Sequence, residues 1–287
     1  MDNLACSHTS QLSALTITGG PAGSAAAAGL AASPTAPSVL LIEAGGSLED
    51  HNLRVDGQRW QTFTKEGMNW GYKTVSQKHC ADREIDYSRG KGLGGSSAIN
   101  FGVFTIGPRD DYEQWADLVD DDAFRWKHVQ RRLKALESFN GKLPDGVDKK
   151  YAAPKDSNHG SSGPLKTGYS AEWEDDLPPL LDVFEKAGFA LNPDHNSGNP
   201  LGMSVLINSA HQGVRSTAKD LYAKKPDSLT VLTENYVQRV LIEKSRAVGV
   251  ESNGKRCKTS RHHREHYLPD DIRLCLERGY PLCWSSG

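Results

Sequence analysis

No stretch of this 287-residue chain approaches the roughly 18 consecutive apolar residues that a membrane-spanning helix needs. The opening MDNLACSHTSQLSALTI has no Lys or Arg ahead of its apolar residues and no convincing cleavage pattern, so a secretory signal is not read there. An excess of one charge is also missing. The 34 Lys and Arg against 36 Asp and Glu leave a net charge of −2, too small a field to draw nucleic acid or an anionic surface. The five cysteines, odd in number and spread from Cys6 to Cys283, do not make a disulfide framework at this length. These absences lead to the expectation of a reduced, cytoplasmic protein acting on small molecules, without a nucleic-acid or membrane partner. They say nothing of its oligomeric state.

What is present is a chain with 37% hydrophobic and 24% charged residues, enough for one large or two modest globular domains. Leu12 to Thr18 is a short, mostly apolar, β-branched run, followed by Gly19-Gly20-Pro21-Ala22-Gly23 and the helix-forming SAAAAGLAA, which stops at Ser33-Pro34. Val39-Leu40-Leu41-Ile42 is an unbroken apolar run, the pattern of a strand buried on both faces of a parallel sheet. The order is strand, tight turn, helix, strand. Further along, Asp110 to Leu136 has helical spacing in two pieces, Leu177 to Gly188 reads as an amphipathic helix, and Leu229 to Glu251 reads as short strands broken near Thr233–Asn235 and Lys244. The polar stretch from Gly141 to Gly163 is a loop or a joining segment.

A helix that opens straight after a strand presents unpaired N–H groups and the positive end of its dipole, and so can hold a pyrophosphate. The usual turn is G-x-G-x-x-G, and here its last two glycines are Gly20 and Gly23 while Thr18 stands at the first. Thr18 is expected to strain a turn that wants positive φ, and Pro21 removes one N–H, so affinity for a ligand is expected to be weakened. Glu43 lies 20 residues after Gly23, at the end of the second strand, where a carboxylate accepts hydrogen bonds from a ribose. A plain strand-end carboxylate is the alternative.

The segment Gly90-Lys91-Gly92-Leu93-Gly94-Gly95-Ser96-Ser97-Ala98-Ile99-Asn100, followed by Phe104, Gly107 and Pro108 to Tyr112, resembles the first signature of the glucose/methanol/choline (GMC) flavoprotein oxidoreductases. Glycines let backbone approach a flat ring or a pyrophosphate, and the hydroxyls and amide supply directed hydrogen bonds. The resemblance, which extends from about Thr16 to Glu251, implies an α/β, Rossmann-like FAD-binding domain with an incomplete parallel sheet and part of an inserted substrate domain. It places Pro21 and Ala22 at the pyrophosphate, Glu43 at the ribose, Ser96, Asn100, Phe101 and Val103 at the flavin, and Val237 at the adenine. It implies FAD as hydride acceptor and a small-molecule alcohol as substrate. No histidine lies between His79 and His128, so the FAD is expected to be held non-covalently.

The resemblance also implies a histidine base with a second His or Asn, supplied after Glu251, and nothing in this chain matches them; no catalytic residue is assigned. His159, His195 and His211 are expected to be solvated loop residues. The expected division is an FAD-binding domain over 1–155 and 226–251, a partial substrate-binding domain over 156–225, and an atypical, disordered tail over 252–287. In that tail Cys257, His262, His263, His266, Cys275 and Cys283 are of zinc-binding types but form no familiar paired knuckle, so no metal is assigned. Three readings stay open: a truncated alcohol oxidoreductase completed by further chain, an FAD-binding fragment without catalysis, and a remnant that neither folds fully nor binds.

Overall fold

The computed structural model describes residues 12–48, 61–62 and 64–259. Strand β1 (Ala14–Thr16) leads through the glycine turn into helix α1 (Pro21–Ala31), and strand β2 (Val39–Ile42) follows. Next come helices α2 (Arg109–Val119) and α3 (Trp126–Leu136), strands β3 (Glu137–Asn140) and β4 (Leu165–Gly168), and helix α4 (Leu177–Lys186). A two-residue hairpin, β5 (Ala210–His211) with β6 (Val214–Arg215), precedes β7 (Leu229–Leu232), β8 (Val237–Glu243), β9 (Arg246–Ser252) and β10 (Lys255–Lys258).

β1, β2 and β7 form a parallel sheet with β2 in the centre. The unbroken apolar run of β2 follows from burial on both faces. Val39 and Leu41 pack with Ala27 and Ala31 of α1 and with Leu93, Tyr222 and Leu229, while Leu40 and Ile42 face Leu12, Val250 and Cys257. The second face is covered by the antiparallel sheet β8-β9-β10. α1 can lie close on β1 because its inner residues are small. A Cβ on Gly23 would overlap the Thr18 carbonyl oxygen, so only glycine fits there. Thus the strand-turn-helix-strand order and the incomplete parallel sheet expected from the sequence are present.

Several expectations need correction. The tail does not begin at residue 252: β9 runs to Ser252 and β10 adds Lys255–Lys258, pairing Cys257 with Val250. Residues 260–287 lie outside the described residues, as do all the zinc-type side chains except Cys257. Cys257 is buried in the core and disulfide-bonded. β3 pairs with β4 from Glu137↔Leu165 to Asn140↔Gly168, and residues 155 and 156 lie in the connection between these two strands. No helix among the described residues is long and apolar enough to cross a membrane.

Candidate functional site

The carboxyl ends of β1, β2 and β7 lie side by side, the position at which parallel α/β sheets bind ligands. Three loops leave these ends: the glycine turn after β1, Glu43–Gly46 after β2, and Thr233–Tyr236 after β7. Glu43 N–H donates to Leu232 O at 2.8 Å, Asn235 N–H to Glu43 O at 3.0 Å, and Glu234 N–H to Gly45 O at 2.9 Å. The loop that leads into Val237 is thereby fastened beside Glu43.

The glycine segment of residues 90–107, far away in sequence, lies against the turn. Gly94 N–H donates to Gly19 O at 2.8 Å, and a Cβ on Gly95 would sit 2.6 Å from Gly20 Cα. Gly95 also has φ of 53°, in the left-handed region that glycine enters without cost. Glu43 ties the two segments together. Its Oε2 accepts the Gly19 N–H at 2.7 Å, and its Oε1 accepts those of Gly45 at 2.9 Å and Gly92 at 3.0 Å. Both oxygens are engaged and the side chain is buried, so Glu43 is far from a plain surface carboxylate.

The turn itself differs from expectation at Thr18, which does not adopt positive φ. Its hydroxyl accepts the Gly20 N–H at 3.1 Å, so the threonine braces the turn where strain was expected. α1 opens at Gly20 with Pro21 at its first position and no side-chain cap, and Pro21 and Ala22 are exposed. An uncapped, exposed helix start of this kind leaves its dipole end open to an anion.

Of the other residues picked out in the sequence, Ser96 accepts the Gly90 N–H on its hydroxyl at 3.1 Å. Asn100, Phe101 and Val103 are exposed in succession on the strand-like segment after the signature, Val103 bridging to Asn208. Val237 begins β8, pairs with Ser252 of β9 and packs its half-buried side chain against the core of Leu40, Ile42 and Val250. These residues come from four parts of the chain: the β1–α1 turn, the end of β2, the Gly90 segment and the start of β8.

The sequence reading missed Arg215. It is 4% exposed, and its Nη1 donates to Ser97 O at 3.3 Å, to Asn100 O at 2.6 Å and to Asn100 Oδ1 at 2.8 Å. Ala218 N–H donates to Ser97 Oγ at 2.9 Å beside it. The segment from Gly213 to Ala218 thus clamps the signature loop from below. The only signal in the sequence was an arginine within a stretch of small and hydroxylated residues.

The histidines also differ from expectation. His159 and His195 are buried, not solvated. His159 lies between two carboxylates, Nδ1 at 3.3 Å from Glu137 and Nε2 at 3.3 Å from Asp194, with Phe139 stacked on its ring. Burial pulls its pKa down, but the hydrogen bonds to Asp194 and Glu137 outweigh this and hold it at about 9. Burial lowers the pKa of His195, whose Nε2 is 3.3 Å from Phe104 O. Asp194 also accepts the Asn196 N–H at 3.1 Å, and Asn196 in turn accepts the Ile106 N–H at 3.2 Å and donates to Phe104 O at 3.0 Å. These residues support the segment that carries Phe101 and Val103. Among the described residues no group of three His, Cys, Asp or Glu is placed to hold a metal.

The chain is similar to several known proteins in sequence and in fold. Pyridoxine 4-oxidase of Microbacterium luteolum is 30% identical over 244 residues, 82% of this chain and 45% of the relative. An oxygen-dependent choline dehydrogenase of Staphylococcus aureus is 31% identical over 224 residues, 76% of this chain and 38% of the relative. The crystal structure of pyridoxine 4-oxidase from Mesorbium loti superposes with a TM-score of 0.72 at 26% identity, over 86% of this chain and 48% of that one. A fungal aryl-alcohol oxidase shares the fold, with a TM-score of 0.76 at 20% identity, over 88% and 44% of the two chains. The chain spans less than half the length of these relatives. The sequence model of the GMC oxidoreductase family matches residues 13–268, a span that contains both glycine segments, Glu43 and every residue of the site described above. This chain belongs to the GMC oxidoreductase family.

Proposed function

We propose that the chain binds FAD non-covalently at the β1–α1 turn and the adjoining Gly90 loop, as the nucleotide-binding part of an oxidoreductase that acts on an alcohol. The observation that carries this reading is the convergence of two glycine segments and a buried carboxylate at the carboxyl ends of three parallel strands. The cradle fits the group. Gly23 and Gly95 let α1 and the Gly90 loop close against Thr18 and Gly20, and the exposed start of α1 is uncapped, with its first N–H groups free for a phosphate.

In this reading the first turn of α1, at Pro21, Ala22 and Gly23, faces the pyrophosphate. Glu43 accepts three backbone N–H groups and has one lone-pair site left for a ribose hydroxyl. The Val237 backbone borders the adenine, Ser96 and Asn100 supply polar contacts to the flavin, and Phe101 and Val103 present apolar faces to its ring. When bound, FAD supplies the acceptor for a hydride leaving an alcohol carbon. The names of the relatives, pyridoxine 4-oxidase, choline dehydrogenase and aryl-alcohol oxidase, support that substrate class.

His159 is engaged by Glu137 and Asp194, and His195 lies against the Phe104 carbonyl, so neither is poised at an open site. That observation favours a second reading for the chain by itself, FAD binding without turnover. The test is to purify the full chain with FAD, precipitate it with acid and assay both fractions. Flavin in the supernatant supports non-covalent binding, whereas flavin in the pellet, or in neither fraction, contradicts it.

A further inference from the structure

The side-chain amide of Asn100 is oriented by two donors at once. Its Oδ1 accepts the Arg215 Nη1–H at 2.8 Å and the Gly102 N–H at 3.0 Å. A carbonyl oxygen has two lone-pair directions, and both are filled. The flipped amide would set an NH2 group against two donors, so the orientation is determined. Nδ2 is left as the outward group, and among the described residues it donates to nothing, although Asn100 is exposed beside Phe101 and Val103. The guanidinium behind it is buried and also holds Asn100 O at 2.6 Å, so backbone and side chain are fixed together.

We propose that Arg215 is a positioning residue of the flavin site. By holding Asn100 Oδ1 it fixes Nδ2 as a polarised donor aimed at the ligand, which must present an acceptor there, a carbonyl oxygen or an unprotonated ring nitrogen of the isoalloxazine. A hydrogen bond from a charged donor to Oδ1 draws electron density from the amide and strengthens its N–H groups as donors. Arg215 therefore acts on the ligand only through Asn100. The inference rests on the FAD reading and specifies the polarity of one contact within it.

The test is an FAD titration of the full chain by flavin fluorescence, with Asn100→Ala, Arg215→Met, their combination, and Asn100→Asp. Each single substitution is expected to weaken binding by about tenfold, the loss of one hydrogen bond of about 1.4 kcal/mol. The double variant is expected to bind no worse than Asn100→Ala, because Arg215 acts on the ligand through Asn100. Multiplied losses in the double variant, or wild-type affinity in Arg215→Met, would overturn the proposal. Asn100→Asp guards against misfolding: it keeps an acceptor for Arg215, so the thermal midpoint of the ligand-free protein should not fall, yet it removes the Nδ2 donor. Unchanged FAD affinity in that variant also overturns the proposal. A folded wild-type chain that takes up no FAD overturns the FAD reading and this inference with it, whereas wild-type uptake with insensitive variants overturns this inference alone.

Discussion

Glu43 Oε1 accepts the Gly92 N–H at 3.0 Å across 49 residues of sequence, while its Oε2 holds Gly19 at 2.7 Å. One carboxylate thus joins the end of β2 to both glycine segments. The first prediction concerns this residue. Glu43→Gln must turn an NH2 group toward at least one backbone donor, leaving it unsatisfied in a buried place at a cost of about 1–3 kcal/mol. The urea midpoint should fall accordingly. An unchanged midpoint would show that water replaces the carboxylate freely.

Gly23 lies against the Thr18 carbonyl, and an added Cβ would overlap it. Gly23→Ala should push α1 off β1, lowering stability by about 1–3 kcal/mol as overpacking does. The shift would be read from thermal unfolding of the ligand-free protein. Gly29 has nothing within 4 Å of an added Cβ, so Gly29→Ala serves as the control and should be neutral or slightly stabilising. Equal behaviour of the two variants would remove the close-packing argument.

Thr18 is unstrained and accepts the Gly20 N–H. Thr18→Gly therefore relieves nothing. It removes a turn acceptor and adds backbone freedom to the unfolded chain, so stability should drop by about 0.5–1 kcal/mol. Thr18→Ser keeps the hydroxyl and should stay near wild type in the same melt. A more stable Thr18→Gly variant would restore the idea of a strained turn.

The His159 cluster makes a pH prediction. In the folded protein its pKa is about 9, above the 6.5 of a free histidine, because two carboxylates hold the proton against the effect of burial. The folded state therefore binds the proton more tightly than the unfolded state. This stabilisation is complete below about pH 6.5 and fades as pH rises through about 9. Midpoints measured across that window should fall in the wild type, and the His159-dependent part of the fall should vanish in His159→Gln. A parallel pair of curves would mean that His159 stays neutral when folded.

Much of the nucleotide-binding half was legible because its signals are local. The apolar run Val39 to Ile42 can only be a doubly buried strand in this setting, and the residues from Leu12 to Ala31 carry strand, turn and helix in order. The two-part helical pattern became α2 and α3, although Trp115 and Leu118 of its apolar stripe are exposed at 52% and 79%. Periodicity reports a face, not what covers it. β3 was not legible, since Glu137-Ser138-Phe139-Asn140 has no strand pattern and its pairing with β4 is set by tertiary context. The burial of His159 was hidden for the same reason, its partners lying 22 and 35 residues away. Arg215 was hidden further still, because its target Asn100 lies 115 residues before it.

The central claim is that the two glycine segments and Glu43 form one FAD site. Equilibrium titration of the purified full chain with FAD, followed by flavin fluorescence, tests it most directly, with Gly23→Ala run alongside. Saturation at one FAD per chain in the wild type, with clearly weaker binding in the variant, is the predicted result. A folded wild-type protein that shows no saturable uptake, or a variant that binds equally well, would contradict it.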